Sequence, residues 1–533
     1  MYSSYSSLQQ SQLAAQGYYD TQSTYLLVYA PGRSTALRAT LADQLHRKFR
    51  LADTLGSALT EGVDGVLLVS EDVECMSTAL MCFAKALQDG ADYAVCNAVF
   101  GFGGATALYQ SRAHLAQNRC ALVSRPLLER CRAAAHDPEN VPELLALAAQ
   151  LCTKPALIPQ ALLHYERGIC AEDAFSAHGK RAFIMSHVLD MTGAPIVLVS
   201  AVPVLRSMGY EVLVLGPSDG GSLHLFLDAG ASVITRSSCR NVSDAWGMAL
   251  CADFVIVNTV VMARAVRALS GTAVPVLWWL HDAFAGYPHI AHQIPTQLGE
   301  NVRVYSVGSH AANAMHAVRP DFEIRPLIYG LPDYAAENFV CTDLGYNRGR
   351  PLFATVGSFE RRKGHDIFCK AIRLLPPEVR EKASFLFVGQ AADKEMMDSV
   401  RALTADYPEN VYYCKRLTRD EIKSLMEQCT GLVCASRDDP MPTFVTEGLI
   451  FGKPSIVSEH TGTAGLISEG RNGFVYHNDD PQQLAVLLEY AIEHPEELAS
   501  MRTECRKMYE QYYSKEAFEQ TLRAAVEDLT AKK

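Results

Sequence analysis

Two acidic residues, Asp439 and Glu447, stand eight positions apart in "SRDDPMPTFVTEGLIFGKPSIVS". The run "GLVCAS" before them reads as a buried strand, and "TFVTEGLIFG" begins a helix that Gly452 ends. Asp438 to Pro442 is then a loop at the carboxyl end of that strand. Pro442 suits the entrance of a helix, where a missing N–H costs nothing. The N–H groups of Thr443, Phe444 and Val445 point out of the helix start, and with the helix dipole they suit a diphosphate. Glu447, one turn further in, can accept hydrogen bonds from two vicinal hydroxyls such as those of a ribose. Asp439 would reach another part of the same ligand. A helix cap with one solvated glutamate is the plainer alternative.

A second constellation carries the opposite charge. In "VGSFERRKGHD", Gly357 opens a turn and Arg361, Arg362 and Lys363 cluster before Gly364. Three cations at the carboxyl end of the strand "LFATV" make a phosphate clamp in an otherwise acidic chain. A solvated basic loop is the alternative reading.

Both constellations need a sheet that presents its strand ends together. From Leu352 onward, short apolar runs ("LFATVG", "SFLFVG", "VYYC", "GLVCAS", "PSIVS") alternate with amphipathic helical stretches. That alternation predicts a parallel sheet with helices on both faces. The middle of the chain repeats it with "EVLVLGP", "SVITR", "FVIVN", "VPVLWWL" and "VRVYSVG". "PIVLVSAVPVLRSMG" fits strand by its β-branched content and helix by its length. The segment from Tyr25 to about Cys170 is α/β but less regular, and "HYERGICAEDAFSAHGKR" reads as a linker. The expected division is a disordered tail over 1–24, a partial α/β module over 25–175, one α/β domain over 181–345 and another over 346–533 with C-terminal helices.

Composition narrows the classes. The chain has 533 residues, 49% hydrophobic and 20% charged, enough for more than one core. A net charge of -11 argues against a broad nucleic-acid surface. The 15 cysteines are scattered and include no Cys-x-x-Cys, which argues for free thiols in a reducing cytosol rather than a structural metal. No run reaches the roughly 20 apolar residues of a membrane span. The polar N-terminus lacks the features of a signal peptide. Asn241-Val242-Ser243 reads as a chance glycosylation pattern without such a signal. These features predict a cytoplasmic protein, with a peripheral contact at the inner face of the membrane left open, and they do not set the oligomeric state.

The motifs together resemble the large family of retaining glycosyltransferases with the GT-B fold, over the last two thirds of the chain. "HVLDMTGAP" resembles the family's first Gly-rich loop, "VLWWLHDA" its strand ending in histidine, and "VYSVGSHAANAM" a helix start at the end of its N-terminal domain. "VGSFERRKGHD" resembles its phosphate loop, "DDPMPTFVTEGLIFGKPSIVS" its E-x7-E motif, and "GRNGFVY" its closing turn. The resemblance implies an α/β fold of two Rossmann-like domains facing each other, closing on a nucleotide-sugar. Glu447 would bind the ribose. Lys363, with Arg361 or Arg362, would neutralise the diphosphate, helped by the amides of Thr443, Phe444 and Val445. Gly357 and Ser358 would line the phosphate turn, Asp439 would touch the donor sugar, and His281 would face the transferring sugar. Gly193 and Ala194 would approach donor and acceptor closely. Transfer to a glycan or lipid-linked acceptor would proceed with retention, with no metal and no side-chain nucleophile obligatory. Asp439 stands where the family has glutamate, and Ser358 where it often has arginine.

The first module carries a weaker likeness. "GVDGVLLVSEDVECMSTALMCFAKAL" resembles the centre of an inverting, processive-type GT-A glycosyltransferase, where acidic residues at a strand end hold a divalent cation. Asp72 and Glu74 occupy that place, but the module is too short for the nucleotide-binding units that should precede it. A truncated module with acidic surface residues is the preferred reading, and a divalent cation enters only if the module is active. "GFGGA" lacks the third glycine of a dinucleotide loop. A non-catalytic scaffold or partner subunit of a glycosyltransferase is the alternative function.

Overall fold

The computed structural model describes residues 18–531 apart from 33–34, 57–58, 60–61, 102–106, 112–118, 176–178, 218–219, 238 and 241–242. Most of "GFGGA", the first two residues of the glycosylation pattern and residues 1–17 of the expected tail lie outside the described residues. The chain forms two compact units. One is Met1–Val257 with Thr272–Pro275, and the other is Asn258–Gly271 with Val276–Lys533.

The first unit is built on a mixed sheet. Its strands are β1 (Leu26–Tyr29), β2 (Phe49–Ala52), β3 (Gly65–Val69), β4 (Glu74–Cys75), β5 (Tyr93–Phe100), β6 (Ala107–Gln110), β7 (Cys120–Ser124), β8 (Pro155–Tyr165), β9 (Lys180–Met185), β10 (Tyr210–Gly216), β11 (Ser232–Thr235) and β12 (Phe254–Asn258). They follow the order β12-β9-β10-β11-β6-β5-β7-β3-β1-β2, with β8 also on β5 and β4 on β8. β9 to β12 are parallel, as their apolar runs predict. The antiparallel pair β6·β11 crosses from the first segment to the second. It covers the edge of β11, which would otherwise expose unpaired backbone groups. The sheet thus runs through the boundary expected at 175–181. The expected linker contains the end of β8, and Arg167 within it bonds Asp173 and Glu71.

Two further sequence readings change here. Residues 18–24 belong to the fold: Tyr18–Ser23 is a 3-10 helix, Thr21 and Thr24 are buried, and Gln88 donates to Thr24 Oγ1 at 2.9 Å. The ambiguous "PIVLVSAVPVLRSMG" is mostly helix, Gly193–Ser207. Leu198, Ala201, Val202 and Leu205 are buried on it at helical spacing, and that period outweighs the β-branched content.

The second unit holds two groups of parallel strands. β13 (Val276–Leu280), β14 (Val302–Ser306) and β15 (Ile324–Pro326) pair in that order. β16 (Leu352–Val356), β17 (Ser384–Val388), β18 (Val411–Cys414), β19 (Gly431–Cys434), β20 (Ser455–Ser458) and β21 (Gly473–Tyr476) form a six-stranded sheet, β18-β17-β16-β19-β20-β21. Phe353, Phe385, Phe387 and Phe368 pack on it, with Phe368 and Phe387 ring centroids 5.0 Å apart. Each buried ring contributes about 1.5–3 kcal/mol. The C-terminal helix Lys515–Thr530 packs on β13, where Phe518 stacks on Trp279 at 5.8 Å. The last helix therefore leaves the segment that begins at 346 and serves the strands before it.

Candidate functional site

β16 and β19 are neighbours in the six-stranded sheet, and the loops after both carry the expected chemistry. Ligands of open parallel sheets bind at such carboxyl ends. After β16 the chain turns through Gly357 and Ser358 into the 3-10 turn Arg361–Lys363, and then Gly364 starts the helix His365–Leu374. After β19 the chain runs over 435–442 into the helix Thr443–Ile450.

The two loops are stitched together. Arg437 N donates to Arg362 O at 2.8 Å, and the Arg437 guanidinium bonds both oxygens of Asp366 at 2.8 Å. Gly364 sits where they touch. Its φ is +66°, and a Cβ there would lie 1.8 Å from the Ala435 carbonyl oxygen. Gly364→Ala meets both a left-handed backbone and that oxygen, and is expected to cost at least about 2 kcal/mol. A denaturant midpoint unchanged from wild type would contradict this.

The three cations are used differently. Lys363 Nζ lies 2.6 Å from Asp439 Oδ2. Arg362 bonds Glu360 at 2.8 Å and the Asp438 carbonyl at 3.2 Å. Arg361 is exposed. Ser358 is exposed too and donates to Glu360 Oε1 at 3.0 Å. Asp439 is only 3% exposed, and its other oxygen accepts the Met441 N–H at 3.3 Å. Its carboxylate is thus directed at Lys363.

Val445 N already donates to Pro442 O at 3.0 Å, so the helix start presents two amides, those of Thr443 and Phe444, with no partner among the described residues. Thr443 Oγ1 lies 3.3 Å from the Tyr329 hydroxyl. Glu447 is buried on the same helix and accepts from Arg419 at 2.5 Å. Burial raises its carboxyl above the usual range, and Arg419 opposes that shift.

His281 follows β13, with its ring 4.7 Å from that of Trp279. Gly193 and Ala194 open their helix in the other compact unit, with Thr192 as its N-cap.

Sequence reasoning missed several partners. Asp438 accepts from His310 Nε2 at 2.7 Å, from Ala285 N at 2.9 Å and from Phe284 N at 3.2 Å. Burial alone would raise its carboxyl, but these donors outweigh burial and hold it below the usual range. Positions 438 and 439 thus serve different partners, one fixing the segment after His281 and the other holding Lys363. The signal available was the pair of adjacent aspartates.

Asp282, next to His281, accepts from Val260 N at 2.6 Å. It helps hold the turn at Thr259, whose φ is +68° and whose carbonyl accepts from Trp278 at 2.8 Å. Burial raises the Asp282 carboxyl from 3.8 to about 6, against the Val260 and His281 N–H groups, which lower it. A raised folded pKa means that the folded state binds this proton more tightly. The stabilisation is complete below the ordinary carboxyl range and is lost as pH rises through about 6. Because Asp282 is partly exposed, the change is put at about 1–2 kcal/mol. Asp282→Asn should flatten that stretch of the stability-versus-pH curve, and an unchanged slope would contradict the assignment.

The acidic strand end of the first unit is tied to protein partners. Glu71 pairs with Arg167 at 2.6 Å, Glu74 with His164 at 2.7 Å, and Asp72 accepts the Leu37 N–H at 3.3 Å. Among the described residues these carboxylates form no group with metal-ligand spacing. The one such group is the surface cluster His494, Glu496 and Glu497. All 15 cysteines are free. No described helix is long and apolar enough to cross a membrane.

Residues 178–318 match the model of glycosyl-transferase family 4, and residues 342–508 match that of glycosyl transferases group 1. An uncharacterised glycosyltransferase of Methanocaldococcus jannaschii is 25% identical over 194 residues, 36% of this chain and 53% of that protein. The spore coat protein SA of Bacillus subtilis is 26% identical over 154 residues, 27% of this chain and 40% of that protein. The chain thus spans about half or less of the length of the curated relatives it matches. Among solved structures, Anabaena HepE in complex with UDP superposes with a TM-score of 0.54 at 18% identity, covering 66% of this chain and all of HepE. Sucrose-phosphate synthase of Thermosynechococcus elongatus gives 0.53 at 15%, covering 66% of this chain and all of that one. The fold is therefore α/β, with Rossmann-like sheets and GT-B glycosyltransferases as its neighbours.

Proposed function

We propose that this chain is a glycosyltransferase that takes a sugar from a nucleotide-sugar donor and places it on a glycan or lipid-linked acceptor with retention of configuration. The observation that carries the reading is the Lys363–Asp439 pair joining two adjacent strand ends of one sheet, with Glu447 on the helix that follows the second. The two matched glycosyltransferase segments support it, as does the UDP held by HepE.

An acceptor hydroxyl attacks the sugar C1 as the bond from C1 to the phosphate oxygen breaks. The hydroxyl proton passes to the departing phosphate. Lys363, Arg361 and Arg362 take up the diphosphate charge, with the amides of Thr443 and Phe444. Glu447 holds the ribose diol, and Asp439 holds Lys363 in place. His281 faces the sugar. No resident cofactor is needed for these steps, and the work is cytoplasmic, in cell-surface polysaccharide synthesis.

The test is release of nucleoside diphosphate from UDP-, GDP- and ADP-sugars with a mixture of glycan and lipid-linked acceptors, with the anomeric proton of the product read by NMR. Release with a product of the donor's configuration supports the reading. Nucleotide binding without any release would favour a scaffold, and an inverted product would remove retention.

A further inference from the structure

Arg419 belongs to none of the motifs discussed above, yet it touches the residue that holds the ribose in the proposed function. It is the first residue of the helix Arg419–Gln428, whose start is fixed by a capping box between Thr418 and Glu421. Its guanidinium lies 3.9 Å from the centroid of the Tyr334 ring and donates to Glu447 Oε1 at 2.5 Å. Tyr334 is itself placed by its neighbour Asp333, which pairs with Arg506 through both oxygens at 3.0 and 2.8 Å. The ring supports the cation from one side and the carboxylate fixes it from the other.

Glu447 is buried, whereas the Arg419 side chain is 47% exposed. One Glu447 oxygen is taken by Arg419. The other has no protein partner among the described residues. A buried carboxylate needs a compensating charge to stay ionised, and the ionised form accepts from the hydroxyls of a diol through stronger, charge-assisted hydrogen bonds than a neutral carboxyl does. The other ionisable groups that face Glu447 are the hydroxyls of Tyr329 and Tyr334, and burial keeps both neutral. Arg419 is therefore the sole cation facing Glu447 among the described residues.

We propose that Arg419 is a positioning residue of the nucleotide site: clamped against Tyr334, it holds the Glu447 carboxylate in its charged form, with one oxygen engaged and the other presented to a ribose diol. The inference rests on the nucleotide reading above and assigns to that site a residue outside its motifs. Burial raises the Glu447 carboxyl and Arg419 opposes the rise. Without Arg419 the carboxyl therefore takes up a proton at a higher pH. Ribose binding would then weaken as pH falls and recover as it rises.

The experiment is calorimetric titration of the full chain with UDP, GDP, ADP and CDP from about pH 6 to about pH 9, for wild type, Arg419→Gln, Arg419→Lys and Glu447→Gln. Arg419 is half exposed, so its replacement opens no core. Expressing each affinity relative to wild type at the same pH cancels the titration of the nucleotide itself. Arg419→Gln is expected to bind about tenfold more weakly at the acid end and to approach wild type at the alkaline end. Arg419→Lys should keep the wild-type profile, and Glu447→Gln should be weak with a ratio that does not change with pH. A wild-type profile for Arg419→Gln would overturn the proposal. So would a loss by the same factor at every pH, because that is a packing effect. Absence of nucleotide binding by wild type would remove the nucleotide reading and this inference together, and it is seen before any variant is compared.

Discussion

Replacing Lys363 with alanine is expected to lower nucleotide-sugar turnover by about 10²–10³-fold, the usual effect of removing one group aimed at a developing negative charge. Lys363 Nζ is 2.6 Å from a carboxylate that is almost wholly enclosed. Its loss therefore acts twice. In the proposed reaction the departing diphosphate loses a cation, and Asp439 is left buried without its ion-pair partner. Breaking such a pair from one side costs about 3–5 kcal/mol where both groups are buried. Lys363 is 17% exposed in its side chain, so the lower part of that range applies. The double variant Lys363→Met with Asp439→Asn separates the effects. It should regain stability without regaining turnover. Turnover by Lys363→Ala within a few-fold of wild type would remove the lysine from the reaction.

Glu447→Ala is expected to weaken nucleoside diphosphate binding by about 30–100-fold, from the loss of the two charge-assisted hydrogen bonds proposed to reach the ribose. The substitution also leaves Arg419 without its carboxylate. Arg419 is half exposed and keeps its contact with Tyr334, so the fold should tolerate the change better than it tolerates Lys363→Ala. A nucleotide without its 2′-hydroxyl gives an internal control. It should lose affinity for wild type and lose little more for the variant. Equal losses in both proteins would show that Glu447 does not touch the diol.

The positions of Lys363 and Glu447 after two strands were legible because punctuation and charge mark the turn of one and the helix start before the other. Gly357 and Gly364 bracket one turn, and Pro442 opens a helix after a strand of buried residues. The parallel strands β16 to β20 were legible for the same reason, since each is a short apolar run, whereas β21 lies in the run read as a closing turn. The partners were not legible, because their pairing depends on how distant loops are brought together. Asp438 and His310 are 128 positions apart, and Arg419 and Glu447 are 28 apart on different helices. No periodicity encodes such a pairing. Asp439 was read as a ligand contact from its place in a motif, whereas its carboxylate lies against Lys363. In the first module the acidic cluster looked free in sequence, but Arg167 and His164, far along the chain, reach it. The mixed sheet was missed because β6 pairs antiparallel with β11 across more than a hundred residues.

The most direct measurement is a calorimetric titration of the purified chain with UDP, GDP, ADP and CDP at one pH. Saturable binding of at least one of them at a single site, abolished when Lys363 and Glu447 are both replaced by alanine, is the predicted result. No heat of binding with any of the four, from protein shown to be folded, would contradict a nucleotide site at the ends of β16 and β19.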